Sequence, residues 1–121
     1  MKLRTDPRHL NRVKLMKLLF TWNFLQRKRV SKSIAEIIEN LVRIDKLIAA
    51  SAPDRPLTGI NKIDLAILRL AVFEMIIKSG TPPKVVVDEA VEMGKEYGSD
   101  SSSSFINGVL GKIIKIEKLK I

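Results

Sequence analysis

One stretch, residues 63–77, most constrains how this 121-residue chain can fold. Apolar side chains occupy nearly every position and leave almost no polar face; they are Ile63, Leu65, Ala66, Ile67, Leu68, Leu70, Ala71, Val72, Phe73, Met75, Ile76 and Ile77. A helix that is apolar all round is stable when other elements surround it. Asp64, Arg69 and Glu74 interrupt the stretch, which argues against a membrane span. The sequence therefore predicts a buried central helix in a soluble bundle.

Helix start signals recur five times along the chain, whereas the alternating pattern of a strand is missing. Asp6 and Pro7 resemble an N-cap followed by proline at the first helical position, which predicts a helix to about Gln26. Ser33 and Glu36 form an S-x-x-E capping box, which predicts the start of one second helix whose apolar stripe continues from Ile34 to Ile48. The length suits one hydrophobic core. We expect a single all-α domain, a compact helical bundle of about five main helices spanning residues 1–121.

Proline and glycine set the bounds of the other three predicted helices. Gly80 is expected to end the third helix, and Gly98 to end the fourth in the left-handed conformation. Thr81 is the expected cap of the fourth helix, with proline in its first turn. The predicted bounds are a start near Asn61 or Lys62 for the third helix, residues 83–97 for the fourth, and a start after the serine run at residues 99–104 for the fifth.

The positive charge of the chain lies at one end. Residues 1–32 hold ten of the 22 Lys and Arg and one of the 13 Asp and Glu, and so carry the whole formal net charge of +9. A localised field of this kind usually has a polyanion as its partner. We expect contact with nucleic acid; an acidic protein and lipid headgroups are the alternatives.

Catalytic motifs are missing from the sequence. Cysteine is absent, which excludes a thiolate metal site, and because His9 is the only histidine, a histidine metal site or a His-based triad has no second member. There is also no Gly-rich phosphate loop. We expect a non-enzyme without metal or cofactor, and a cytoplasmic protein because neither a membrane span nor a secretion signal is visible.

Two groups of residues are candidates for nucleic-acid contact. Arg8 and Arg12 are four residues apart and share a helix face, and His9 between them is expected to contact phosphate or solvent. Residues 100–104 of the serine run place up to four hydroxyl groups at a helix start, where they could bind a phosphate or a base edge, or simply form a flexible cap. Phe105 follows the run and is either a stacking platform for an unpaired base or a core anchor.

Several other charged residues have structural or interface interpretations. Asp64, Arg69 and Glu74 are spaced by five and cannot pair within one helix, so they are bundle-internal anchors or part of a protein interface. Asp64 could also lie favourably near the positive end of its helix. The solvent-facing side of the fourth helix is predicted to consist of Asp88, Glu89 and Glu92.

Three stretches carry a family pattern. The first is Ile60-Asn-Lys-Ile-Asp64-Leu-Ala-Ile-Leu-Arg69-Leu-Ala-Val-Phe-Glu74, and the second runs from Thr81-Pro-Pro-Lys84 through Gly98 to Phe105-Ile-Asn-Gly108 and Lys112. The third is the chain start, with Arg8, Arg12 and Leu19-Phe20-Thr21-Trp22. Together they resemble the NusB family of bacterial transcription antitermination factors. Arg55 stands where that family usually has a tryptophan.

The resemblance implies a helical protein that binds boxA-type single-stranded RNA of nascent ribosomal RNA together with the ribosomal protein NusE, in the transcription elongation complex. The residues that it assigns to RNA are Lys2, Arg4, Arg8, His9, Arg12, Ser101, Ser102 and Phe105. It assigns Phe20 and Asp64 to the surface for NusE.

Two other classes of function stay open. A protein-protein assembly module of the transcription or ribosome-biogenesis machinery would bind partners without touching RNA. The same fold also occurs as the N-terminal domain of a ribosomal RNA cytosine methyltransferase, but no cofactor motif is present and we do not expect that activity.

Overall fold

The computed structural model of the protein describes residues 6–25 and 30–120. This part of the chain contains six α-helices and no strand. They are α1 (Pro7–Phe24), α2 (Ala35–Glu39), α3 (Leu41–Ser51), α4 (Lys62–Val72), α5 (Pro83–Tyr97) and α6 (Ser102–Ile116). Two 3-10 turns, Lys32–Ile34 and Leu57–Gly59, and a π-helical turn directly after α4, Phe73–Lys78, complete the helical structure. The all-α prediction is confirmed.

Helix α4 is the buried centre, as its sequence predicts. All nine residues from Asp64 to Val72 are buried, and α1, α3, α5 and α6 pack around them. Asn61 caps the helix, since its side-chain oxygen accepts a hydrogen bond from the backbone N–H of Ile63 at 2.8 Å. The predicted start near Asn61 or Lys62 is therefore confirmed.

Helix α1 is fixed by its own cap and by one apolar stripe. The Asp6 carboxylate accepts a hydrogen bond from the backbone N–H of Arg8 at 2.8 Å, and Pro7 occupies the first helical position. The buried side chains follow at intervals of three or four residues, which places them on one face; they are His9, Val13, Met16, Leu19 and Trp22. Gln26, the predicted end of this helix, lies outside the described residues.

The prediction of one continuous second helix is wrong. Ser31 rather than Ser33 is the cap, because its hydroxyl accepts the backbone N–H of Ser33 at 3.3 Å and starts a 3-10 turn. Asn40 then separates α2 from α3, with a non-helical φ of −102° and ψ of 11°. Its side-chain amide donates to the Glu36 carbonyl at 2.8 Å, a local bond that competes with helix continuation.

The ends of the next two helices differ in how well they were predicted. The π-helical turn after α4 ends at Lys78, before Gly80 as expected, and Ser79 adopts the left-handed conformation there, with φ 44°. Gly98 has φ −90°, so the left-handed prediction for this residue is wrong. The cap position before α5 is Pro82 without a side-chain hydrogen bond, so Thr81 is not the cap. The predicted span of α5, residues 83–97, is confirmed.

Candidate nucleic-acid interface

Helix α1 presents basic side chains to solvent. The Arg8 side chain is 84% exposed, and its guanidinium contacts the Asp6 carboxylate, at 3.3 Å between Nη2 and Oδ2. These hydrogen bonds from Arg8 lower the pKa of Asp6. A surface pair of this kind adds little stability and does not withdraw the cation from a ligand. Lys14 and Lys17 are exposed farther along the same helix.

An aromatic side chain adjoins this basic surface. The Lys17 ammonium nitrogen lies 5.2 Å from the centroid of the Tyr97 ring, a cation–π distance. Tyr97 is the last residue of α5 and is 38% exposed. The basic surface of α1 therefore adjoins the end of α5, where the serine-rich turn begins.

Arg12 turns inward, which corrects the prediction that it shares an exposed patch with Arg8. Its Nε donates to both carboxylate oxygens of Glu74, at 3.1 and 2.9 Å, and its Nη2 donates to one of them at 2.8 Å. Its Nη1 also lies 3.7 Å from Oε1 of Glu89. The hydrogen bonds with Glu74 raise the pKa of Arg12. The bundle's own carboxylates thus neutralise Arg12, and Glu74 is an internal anchor.

His9 is buried as well, so its predicted contact with phosphate or solvent is wrong. Its Nδ1 lies 2.9 Å from Glu89 Oε2 and its Nε2 lies 3.0 Å from Glu96 Oε1. The hydrogen bond with Glu89 raises the pKa of His9, while burial acts in the opposite direction. Glu89 is only 5% exposed, which corrects its assignment to the solvent-facing side of the helix. Within the described ranges, no group of three or more His, Cys, Asp or Glu could hold a metal ion.

The serine-rich turn before α6 is ordered by its own hydroxyl groups. Ser102 is fully buried, and its Oγ accepts the backbone N–H of Ser99 at 2.8 Å. Ser104 donates to the Ser101 carbonyl at 3.2 Å. Ser102 is therefore used inside the turn rather than offered to a ligand. Ser101 is exposed and stays available.

Two glycines let α5 and α6 approach closely around this turn. A Cβ on Gly94 would lie 2.9 Å from the terminal methyl of Ile106, and a Cβ on Gly98 would collide with the Ser102 side chain. Gly98 requires the absence of a side chain, for reasons of space rather than of backbone conformation, whereas a Cβ at Gly94 requires the Ile106 methyl to shift. Close packing of α5 against α6 thus fixes the position of the turn between them.

Phe105 lies partly buried and packs against the core, so the core-anchor interpretation holds for part of the ring. The guanidinium carbon of Arg55 lies over the ring, 4.3 Å from its centroid. One ring face is therefore covered by a cation, as in stacked Arg–aromatic pairs. Arg55 comes from the loop before α4, where no periodic pattern in the sequence marks it.

The two residues expected at a protein partner differ in accessibility. The Phe20 ring is half-buried and lies 5.6 Å from the ring of Phe24, which is 68% exposed. Asp64 is only 2% exposed, so the expectation that it contacts a partner directly is not supported by its position. It lies in the first turn of α4, where a carboxylate is favourable, and its Oδ1 has no hydrogen-bond partner in the described part of the chain.

The contacts of Arg69 confirm the interpretation of this residue as an anchor inside the bundle. Its Nε and Nη2 donate to the two carboxylate oxygens of Asp45 at 3.0 and 2.9 Å, and its Nη1 donates to Asn23 at 3.3 Å. These contacts join α4 to α3 and α1.

None of the helices in the described ranges is long and apolar enough to span a membrane.

These features define a small all-helical protein whose first helix combines a buried charged face with an exposed basic one. A model of the NusB family matches residues 11–115, and the chain belongs to this family. It is 45% identical over 78 residues to the transcription antitermination protein NusB of Roseiflexus castenholzii, a match that covers 63% of this chain and 55% of that relative. It is 40% identical over 91 residues to that of Pseudothermotoga lettingae, with 75% and 65% covered.

A solved structure extends this similarity to nearly the whole fold. The structure of T. maritima NusB superposes with a TM-score of 0.80 at 30% identity, and the superposition covers 95% of this chain and 93% of that one. By sequence, the chain matches little more than half to about two thirds of the length of the two curated relatives.

Proposed function

We propose that this protein is a transcription antitermination factor that binds boxA-type single-stranded RNA together with the ribosomal protein NusE. Membership of the NusB family and the names of the matched relatives support the antitermination role. Under this proposal the protein acts in the cytoplasm as part of the transcription elongation complex, and it has no catalytic role.

The exposed basic surface of α1 is the observation that carries RNA binding. Arg8, Lys14 and Lys17 face solvent, and Tyr97 lies next to Lys17. Cations of this kind bind phosphates and release counterions, while an exposed aromatic ring accepts an unpaired base. Ser101 adds an accessible hydroxyl at the neighbouring turn.

The structure changes which residues we propose as RNA contacts. Lys2 and Arg4 lie outside the described residues and stay proposed contacts because they precede the basic surface in the chain. His9, Arg12 and Ser102 are instead proposed as positioning residues, because their polar atoms are bound inside the bundle.

We propose that NusE binds near the end of α1. Phe20 and its neighbour Phe24 offer a partly exposed aromatic surface there. Since Asp64 is buried, its contribution is to the start of α4 rather than to a direct contact.

The test is a titration of fluorescent boxA-type RNA, followed by anisotropy at several salt concentrations with and without the NusE homologue. If Arg8, Lys14 and Lys17 each contact one phosphate, these three residues together contribute about −2 to the slope of log affinity against log salt, using about −0.7 per contact for single strands. Replacing Arg8 and Lys17 by alanine makes the slope less steep by about 0.7 for each residue. Lys46→Ala, on an exposed position of α3, is the matched control.

An assembly module that does not bind RNA is the second candidate, and one observation favours it. Phe24, Leu25 and Val30 are large apolar residues exposed by 68%, 60% and 48%, which is typical of a protein-binding surface. This candidate predicts binding to the NusE homologue that is indifferent to Arg8→Glu, and a flat salt response with RNA. A steep salt response would refute it.

A further inference from the structure

A groove lies between the loop at residues 53–55 and helix α6, on the side where Arg55 covers Phe105. Its volume is about 380 Å³. Its lining mixes polar and apolar residues; they are Ser51, Ala52, Pro53, Asp54, Arg55, Ser104, Phe105, Gly108, Val109 and Lys112. A volume of this size lies in the range of small-molecule sites.

The Arg55–Phe105 pair gives this groove a flat cationic wall. Because the guanidinium lies 4.3 Å over the ring, a base cannot stack on that face of Phe105 without displacing it. Arg55 itself is exposed, so the other face of its guanidinium is open. Guanidinium planes are established stacking partners of unpaired bases.

The other charged residues of the lining indicate the orientation of a ligand. Lys112 is exposed and suits a phosphate as a point charge, and the Ser104 hydroxyl lies in the same lining. Asp54 repels a phosphate and can accept a hydrogen bond from a base amino group. A single nucleotide with its base toward residues 54–55 and its phosphate at Lys112 keeps the phosphate away from Asp54 and matches the charges of the lining.

We propose that this groove binds one unpaired nucleotide of the RNA, with its base stacked on Arg55 and its phosphate bound by Lys112. The proposal rests on the RNA-binding function proposed above and adds Arg55 and Lys112 to its contacts. Arg55 is then a stacking residue of this chain, and Phe105 packs against the other face of its guanidinium.

The decisive variant is Arg55→Lys, which keeps the charge and removes the planar face. It should weaken binding to boxA-type RNA at least about fivefold, the lower end of the range for a stacked base, and leave the salt slope unchanged. Lys112→Ala should make the slope less steep by about 0.7. Arg43→Lys, on an exposed Arg of α3 that pairs with Glu117 at 3.8 Å, is the matched control and should bind as the wild type does.

A series of RNAs, each with one abasic position, locates the stacked base. Removing the base at one position should weaken binding to the wild type. The same removal should not weaken binding to Arg55→Lys, because that variant has already lost the stacking contact and the two losses are not additive. Equal affinity of Arg55→Lys and wild type, while Arg8→Ala still weakens binding, would overturn the groove and leave the proposed function intact. Absence of any RNA binding by the wild type would overturn both. Because Arg55 is exposed, Arg55→Lys should unfold at the same urea midpoint as the wild type. An unchanged midpoint shows that a weaker affinity does not come from unfolding.

Discussion

The ion pair of Arg12 and Glu74 predicts that alanine at position 12 acts on stability. The two side chains are only 11% and 13% exposed, and the nearby Glu89 side chain is 7% exposed. Arg12→Ala would leave Glu74 without the cation that it binds, and Glu89 would keep only its other contacts, such as that with His9. Removing one member of a buried ion pair costs about 3–5 kcal/mol, and because each side chain keeps some contact with water we expect about 3 kcal/mol.

Urea unfolding followed by circular dichroism measures this loss. With a slope of about 2 kcal/mol per molar urea, the midpoint should fall by about 1.5 M. Arg8→Ala is the control and should change the free energy of unfolding by less than about 0.5 kcal/mol, because Arg8 is exposed. Replacing Arg12 and Glu74 together by leucine should recover much of the loss, since no carboxylate at position 74 is then left without its cation.

An unchanged urea midpoint for Arg12→Ala would refute this reasoning. If the midpoint falls as expected, a weaker RNA affinity of that variant reports a loosened α1 rather than a missing phosphate contact. Arg8, Lys14 and Lys17 are then the residues with which RNA contact should be tested.

Three further predictions concern stability. Protonated His9 stabilises the fold fully below its unfolded pKa of about 6.5, and because the hydrogen bond with Glu89 raises the folded pKa, this stability is lost as the pH rises through the folded pKa. His9→Gln should remove that part of the pH dependence in urea unfolding above about pH 6.5. Gly98→Ala should lower stability by about 1–3 kcal/mol in thermal unfolding, because a Cβ there meets Ser102. Arg69→Lys should cost about 2 kcal/mol in the same assay, because lysine cannot reproduce the paired hydrogen bonds to Asp45. A variant as stable as the wild type would show that the corresponding contact does not stabilise the fold.

The sequence predicts most helices because their starts are encoded locally. Asp6 and Asn61 cap α1 and α4 with their own side chains, and the apolar run of α4 requires burial. The second helix was not predictable in the same way. Ser31 competes with Ser33 as a cap, and the bond from Asn40 to the Glu36 carbonyl breaks a stripe whose periodicity alone is continuous.

The candidate site was less predictable because its ion pairs join distant parts of the chain. Nothing near Arg12 in the sequence identifies Glu74 as its partner. Spacing did hold a signal for His9 and Glu89, however. His9 precedes the buried Val13 by four residues, and Glu89 follows the buried Val86 by three, so each lies on the inward stripe of its helix.

The glycine-mediated approach of α5 and α6 has a consequence for the kinetics of recognition. Ordering a free loop costs about 1–2 kcal/mol for each residue, but the turn between these helices is already fixed when the protein folds. A ligand that binds there meets a rigid receptor and induces little additional folding. Differences in affinity among ligands of this turn should therefore arise in their rates of dissociation, with similar rates of association.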